Sequence, residues 1–319
     1  ENFVSRILCL NSSAKIFVLT NKERTCDHVG GVADFLVTGG AGFIGSTLVK
    51  RLKRNHPKSV VIVVDNLWRG TLDNLRDGAK SGNKHVIDVN KHFFNADLTD
   101  ANLAMQYIRC ARTVYHLADI VAGIGFVFQN QAFVFRQNIL INSNTLRAAV
   151  ALDSCVQNYI YVGTACSFPK HLQMSYKVVK LAENLTYPAN PESSYGWSKL
   201  MGEYEAGLQM KKHDNALNIS LLRFHNVYGP GMLWGNGSQV ISSLIFKAIN
   251  MHHNRTFEVF GSGKQYRDFV YVDDIVEALV QAPNAFGKGV VQVGTGQGVS
   301  VQDLAIMISQ MVSFAFNTS

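Results

Sequence analysis

Tyr195 and Lys199 stand in the run Ser194-Tyr-Gly-Trp-Ser-Lys199. On a helix that spacing puts a phenol and an ammonium on one face, one turn apart. A nearby cation favours the phenolate, and a phenol whose pKa is brought down towards neutrality is a general base for a hydroxyl group. The bland alternative is a surface tyrosine lying over a lysine stem, because a tyrosine four residues before a lysine occurs by chance in many chains. Context decides between them. An apolar run from Tyr159 to Val162 leads into Gly163-Thr-Ala-Cys-Ser-Phe-Pro169, so that Thr164 closes a candidate strand before the Tyr-Lys pair arrives.

A second stretch supplies a partner for that chemistry. Phe35 to Gly45 is an apolar run ending in Gly39-x-x-Gly42-x-x-Gly45, and an apolar helical pattern follows from Ser46 to Leu52. A strand, a tight glycine turn and a helix start let a pyrophosphate approach free N–H groups at a helix N-terminus, with Phe43 and Ile44 in its first turn. The next apolar strand, Val60 to Val64, ends in Asp65-Asn66, where a ribose-binding acid belongs in a dinucleotide site. A carboxylate there accepts both ribose hydroxyls and repels a 2′-phosphate, which favours NAD over NADP. Arg69 is the opposing sign, since it offers a 2′-phosphate a partner. Asp97-Leu98 follows the third strand and either edges the adenine or caps the helix ahead of Ala101. His116-Leu-Ala-Asp119 follows the fourth; the small Ala118 lets backbone pass close to the cofactor, and Val121 to Gly125 adds flexible backbone beside it.

The elements that must position these residues alternate from Asp34 onward. Strands are expected at 34–38, 59–64, 91–95, 112–116 and 156–162, and helices at 43–54, 100–108 and 131–152. That alternation is an α/β fold with a Rossmann-type doubly wound parallel sheet, whose ligands sit at the carboxyl ends of the strands. Ile219 to Phe224 reads as a further strand, Val240 to Asn250 as a helix, Phe257 to Gly263 as strand and turn, and Phe269 to Val272 as a strand before a helix near Asp273. Residues 1–33 form an N-terminal extension of unknown role. Residues 34–186 make the NAD-binding domain. Residues 187–319 are mainly a smaller substrate-binding domain, with segments near 218–228 and 269–283 returning to the first.

Bulk properties exclude several classes. No run approaches the ~18 apolar residues of a membrane span. The net charge of +7 is either a solvated basic surface or an attraction for a polyphosphate ligand. No Lys/Arg block interleaved with aromatics suggests nucleic acid. The 5 cysteines, an odd number without a CxxC pair, argue against a disulfide framework and against zinc, and fit a reducing, cytoplasmic setting.

Taken together, Thr38-Gly-Gly-Ala-Gly-Phe-Ile-Gly45, Asp65-Asn-Leu67, Asp97-Leu98, Tyr115-His-Leu-Ala118, Tyr195-Gly-Trp-Ser-Lys199, Arg223-Phe-His-Asn-Val-Tyr-Gly-Pro230 and Tyr266-Arg-Asp-Phe-Val-Tyr-Val-Asp-Asp274 resemble the extended short-chain dehydrogenase/reductases that act on nucleotide-diphosphate sugars. The resemblance covers about residues 34–312. It implies a tightly held NAD that takes a hydride from a sugar carbon and usually returns it, and a homodimer built on paired helices. Within that family, Ala118 to Phe126 and Thr164 to Pro169 resemble the GDP-mannose 3,5-epimerase branch, which points to a GDP-hexose. By position, Thr164 would then hydrogen-bond the hydroxyl being oxidised, Tyr195 would take its proton and Lys199 would tune Tyr195. Cys166 would be acid or base at a carbon next to the C4 ketone, provided that cationic or dipolar neighbours lower its pKa; the bland reading is a small buried hydrophobe. Gly123, Asn226 and Arg267 would meet the substrate, the last two its diphosphate. Other outcomes in the same site are a dehydratase, a keto-sugar reductase or a dinucleotide-binding protein without turnover.

The resemblance breaks in one place. The 3,5-epimerases carry a lysine, and the fucose synthases a histidine, after the Tyr-Gly-Pro motif, as a second acid/base opposite the cysteine. Here Gly231 to Val240 offers Gly235 or Gln239, and neither transfers a proton usefully. A one-base reaction, or inversion at C4 that needs only Tyr195, survives this change.

Overall fold

The computed structural model describes residues 26–78, 84–174, 176–212, 217–235, 238–254, 259, 261–285 and 289–317. Its strands are β1 (Ala33–Thr38), β2 (Val61–Asp65), β3 (Phe93–Asn95), β4 (Ala111–His116), β5 (Asn158–Thr164), β6 (Asn218–Phe224), β7 (Asn226–Tyr228), β8 (Tyr266–Tyr271), β9 (Gly289–Val293) and β10 (Gly298–Ser300). The principal helices are α1 (Phe43–Asn55), α2 (Ala101–Ile108), α3 (Ile124–Gln129), α4 (Gln131–Ala149), α5 (Ser194–Met210), α6 (Val240–Asn254), α7 (Val272–Ala285) and α8 (Val301–Asn317).

Seven strands form one sheet in the order β3-β2-β1-β4-β5-β6-β9, parallel throughout. A parallel sheet must be covered on both faces, and its inner strands are therefore apolar without interruption. β2 is buried at every position. Alternate residues feed two cores. Leu36, Ile62, Val64, Tyr159, Tyr161 and Leu221 pack with α2, α4 and α5. Val37, Val61, Val63, Ile160 and Leu222 pack with α1 and α7 on the other face. The sheet order reverses at β1, between β2 and β4, and in such sheets this switch point opens a crevice at the carboxyl ends. This is the expected Rossmann-type α/β architecture.

A three-stranded sheet, β10-β8-β7, stands apart from the first. Beside it Leu244 and Ala248 of α6 pack on Leu304, Ala305 and Ile308 of α8.

Most expected elements lie within a few residues of the observed ones. β3 starts at Phe93 because Val89–His92 forms a helical turn capped by Asp88. α4 ends at Ala149, and α6 runs on to Asn254. The strand expected from Phe269 begins earlier, at Tyr266. Of the strand and turn expected over 257–263, residues 257, 258 and 260 lie outside the described residues, and the turn is present at 261–263. β9, β10 and α8 had no counterpart in the sequence reading.

One expectation is overturned. Cys26 and Cys110 form a disulfide with their Cα atoms 5.5 Å apart. It ties the segment before β1 to the turn before β4, and Cys26 and Val29 are buried in the main core. An odd count without a CxxC pair carries no information about partners brought together by β1 and β4, so the cysteine count alone does not support the cytoplasmic expectation. Among the described residues no helix is long and apolar enough to cross a membrane.

Candidate active site

One cleft of about 1130 Å³ opens at the carboxyl ends of the large sheet and continues to β7 and β8. Every residue singled out from the sequence lines it: Gly39, Gly42, Phe43, Ile44 and Gly45; Asp65 and Asn66; Asp97 and Leu98; Ala118 and Gly123; Thr164 and Cys166; Tyr195 and Lys199; Asn226 and Arg267. Its volume exceeds the ~300–1,000 Å³ of a pocket for one small ligand.

At one end the backbone makes the site. α1 begins after Gly42 with no side chain capping it, which leaves the first-turn N–H groups free for an anion. A Cβ on Gly45 would sit 2.2 Å from the Gly39 carbonyl oxygen, so only glycine lets helix and turn close this tightly. Asp65 ends β2, its oxygens accepting N–H bonds from Ala41 (3.0 Å) and Leu67 (2.8 Å). Burial pushes its carboxyl up, and those two N–H groups pull it back. Arg69 is turned away from Asp65: its guanidinium donates to the Val121 carbonyl at 2.6 Å, tying the loop after β2 to the loop after β4. Asp97 does not cap α2; Asp100 does, accepting from Asn102 and Leu103. Asp97 instead accepts the Thr99 N–H at 2.9 Å and faces the cleft.

The middle of the cleft rests on a buried network. Thr38 Oγ1 accepts the N–H groups of Leu117 and Ala118, both at 3.0 Å. Its hydroxyl hydrogen is thereby left for His116 Nδ1 at 2.9 Å, and Nε2 faces Asn142 Oδ1 at 2.9 Å. Asn138 holds Ile120 by both N–H and carbonyl. The chain from Leu117 to Ile120 is thus fixed at both ends, with Asp119 between them.

α5 brings the phenol and the ammonium. Ser193 caps it by accepting the Gly196 N–H, and Tyr161 donates to the Lys199 carbonyl at 2.9 Å, seating the first turns on β5. Glu203 and Arg223 form a buried ion pair that ties α5 to β6. Arg223 also donates to Thr186 at 2.7 Å. Gly196 lies directly on the turn Ala165–Ser167: a Cβ there would be 2.2 Å from the Cys166 carbonyl oxygen. Thr164 accepts the Cys166 N–H at 3.2 Å, and its hydroxyl lies near enough to the Tyr195 phenol to favour the phenolate. Burial, then Asp119 and Cys166, push that phenol well above its ordinary value, while Thr164 pulls it down; the lowering expected from Lys199 is therefore absent in the free protein, because the ammonium is paired with Asp119. The Lys199 ammonium is not bare: its Nζ lies 3.1 Å from Asp119 Oδ2 and 4.8 Å from the Tyr161 ring centre.

Cys166 is exposed to the cleft although protein surrounds the cleft floor. That surrounding mass pushes its thiol up; Thr164 and Arg267 pull it down and Glu192 pushes it up again, so the thiol stands above its ordinary value and the expected lowering by its neighbours is not met, because burial outweighs them. Cys166 is thus not the small buried hydrophobe of the bland reading. Arg267 donates to the carbonyls of Gln173 (2.7 Å) and Tyr266 (2.8 Å), and Asn226 donates to the Asp268 carbonyl at 3.0 Å. In the segment Gly231 to Val240, Met232, Leu233, Trp234, Ser238 and Gln239 line the cleft.

Residues 35–294 match the NAD dependent epimerase/dehydratase family. The chain belongs to this family. Among curated relatives it is 31% identical over 283 residues to a putative UDP-glucose 4-epimerase of Methanocaldococcus jannaschii, covering 88% of this chain and 82% of that one. It is 27% identical over 277 residues to GDP-mannose 3,5-epimerase of Arabidopsis thaliana, covering 85% and 67%. Among solved structures, UDP-glucose 4-epimerase with UDP-glucose from Thermotoga maritima superposes with a TM-score of 0.72 at 27% identity, over 88% of this chain and 82% of that one. The chain is therefore an NAD-dependent enzyme of the extended short-chain dehydrogenase/reductase type.

The residues present fit the family's NAD. The turn that Gly45 keeps narrow leaves a cradle at the start of α1, and Asp65 presents a carboxylate held by backbone rather than by a cation. Sequence reasoning passed over three charged residues on the cleft. Lys247 of α6 and Glu192 belong to no motif. Asp119 was visible inside the quoted run after β4, but nothing in the sequence linked it to Lys199.

Proposed function

We propose that the protein is an NAD-dependent epimerase of a nucleotide-diphosphate sugar that works through transient oxidation at C4. The observation that carries this is the contact of Thr164 with both Tyr195 and the Cys166 turn, in a cleft whose other end is shaped for a dinucleotide. Bound NAD supplies a reversible hydride acceptor. Thr164 and Tyr195 hold the reacting hydroxyl, and Tyr195 takes its proton. Cys166, exposed beside Arg267, is placed to exchange a proton at a carbon made acidic by a neighbouring ketone, because the carbanion delocalises as an enolate. Asn226 and Arg267 line the part of the cleft where the diphosphate belongs.

A GDP-hexose is the first substrate expected, on the likeness of the Cys166 and Ala118–Phe126 segments to the GDP-mannose 3,5-epimerases. Simple inversion at C4 is the second reading. It is favoured by the segment from Gly231 to Val240, whose described side chains on the cleft include no lysine or histidine. Incubation with GDP-mannose, UDP-glucose and UDP-N-acetylglucosamine in deuterium oxide, followed by NMR of the sugars, tests both. Inversion with deuterium beside C4 supports the first, inversion at C4 without deuterium the second, and no stereochemical change in any sugar overturns the proposal. A homodimer is supported by exposed Phe133, Phe135 and Leu140 on α4 and Tyr204 and Leu208 on α5; a monomer in sedimentation velocity would exclude it.

A further inference from the structure

The Lys199 ammonium has a partner that its assigned role does not require. Asp119 lies in the fixed loop after β4, with its side chain 5% exposed and that of Lys199 3% exposed, and the two are 3.1 Å apart. The Ile120 N–H beside it is taken by Asn138 Oδ1 at 2.7 Å. Among the described residues, Lys199 is the ion-pair partner of this carboxylate, neither of whose buried oxygens meets a well-aligned hydrogen-bond donor. Burying a charged pair costs several kcal/mol of desolvation per ion, which only close geometry repays. The fold meets that cost inside the active site, by holding Leu117 and Ala118 on Thr38 and Ile120 on Asn138.

We propose that Asp119 is a positioning residue that fixes the Lys199 ammonium and offsets its charge, so that Tyr195 keeps its proton in the free protein. The inference rests on the reading of Tyr195 as the acid/base of this site. The groups around the pair come from every element packed on it. Tyr195 and Glu203 lie on α5, Tyr159, Tyr161 and Cys166 on β5 and its turn, and His116 on β4. Glu203 is engaged by Arg223, and His116 is neutral in its buried network. The charges that act on Tyr195 are therefore chiefly Asp119 and, when it ionises, Cys166. A lysine facing the phenol alone would draw it towards the phenolate; with Asp119 in place the pair is close to neutral and the protonated phenol is favoured. That is the form which returns a proton to a keto sugar, whereas the phenolate that takes the hydroxyl proton is disfavoured until cofactor and substrate occupy the site.

The test reads Tyr195 directly and needs no sugar. Apoprotein is prepared with tyrosine labelled at 13Cζ, the Tyr195 resonance is assigned with Tyr195→Phe, and titrations of wild type and Asp119→Asn are compared up to about pH 11, just above the ordinary tyrosine value. The expected result is that the Tyr195 resonance of Asp119→Asn moves towards the phenolate position within this range while that of wild type does not, as for removal of a like charge from a shared site. An Asp119→Asn resonance no further towards the phenolate than wild type at the top of the range would overturn the proposal. Should Asp119→Asn fail to fold because Lys199 is left buried without a partner, the comparison moves to Lys199→Met against the double variant Asp119→Asn/Lys199→Met. The double must titrate lower than Lys199→Met, and equality refutes the role. Because no turnover is measured, failure of the nucleotide-sugar experiment and failure of this one are separate results.

Discussion

Acid should unfold this protein partly through a single ring. His116 is fully buried at the end of β4. The Thr38 hydroxyl, already accepting two backbone N–H bonds, donates to Nδ1. A second ring proton would therefore face a donor. Burial, and after it the Lys199 charge, lower the His116 pKa from 6.5 to about 3 against the hydrogen bond to Asn142. Because the folded value lies below the unfolded one, the unfolded chain binds one more proton between them, so stability rises with pH across that window and falls on acidification. The slope approaches about 1.4 kcal/mol per pH unit, or about 2 kcal/mol between pH 6.5 and about 4.5 once the half-titrated start is counted. Asp65 and Asp119 act in the opposite sense, since burial raises their carboxyls. Urea unfolding of wild type and His116→Gln at matched pH values cancels those terms. The variant carries a constant penalty for its altered packing, and the gap between the two curves should narrow by about 2 kcal/mol towards pH 4.5. Parallel curves would show that His116 is not the proton acceptor and that the buried network tolerates a charge.

Tyr195→Phe should cost at least about a hundredfold in sugar oxidation while NAD still binds by equilibrium dialysis; unchanged turnover removes the role given to the phenol. Cys166→Ser should spare oxidation at C4 and stop deuterium uptake beside the ketone, whereas uptake at the wild-type rate would show that another group moves that proton. Gly196→Ala places a methyl against the Cys166 carbonyl and should cost about 1–3 kcal/mol with a larger loss of activity; an unchanged Tm with full activity would mean that the turn yields freely. Glu203→Gln leaves Arg223 buried without its counter-charge and should cost about 3–5 kcal/mol in urea unfolding, and a cost under about 1 kcal/mol would show the pair to be no better than a surface one.

What the sequence made legible is what short range makes. The glycine turn, Asp65 and the Tyr195-Lys199 pair are each set by spacing within one strand-turn-helix unit, and each lies on the cleft. Strands long enough to show an apolar run were readable. β9 was not, since its residues are only half-buried, nor was β10, at three residues. The two pairings that most change the chemistry or the covalent frame, Asp119 with Lys199 and Cys26 with Cys110, join residues far apart in the chain. Each arises only when the sheet brings their elements together, and neither leaves a periodicity or spacing to read.

This asymmetry bears on which reaction the cleft performs. The dinucleotide end is built by backbone, which constrains sequence strictly; the sugar end is built by side chains from the turn after β5, the segment 231–240, α6 and β8, which constrain it weakly. Among the described residues of 231–240, the side chains that face the cleft are apolar, hydroxyl or amide, and none of them is an effective proton donor. Two outcomes remain compatible with one thiol and one phenol. Either the keto sugar turns over and is reduced on its other face, or Cys166 removes and returns a proton from alternate faces of a ring that has turned between the two events. Both need the same physical property, a sugar held firmly by its diphosphate and loosely by its ring. If Arg267 and Asn226 hold the diphosphate as proposed, their place on strands, set against Leu233, Trp234 and Gln239 around a wide cleft, has that character. With no such group among the described residues of 231–240, the product should be set by the room the ring has to turn and by whether Lys247 or His225, which also line the cleft, reaches it.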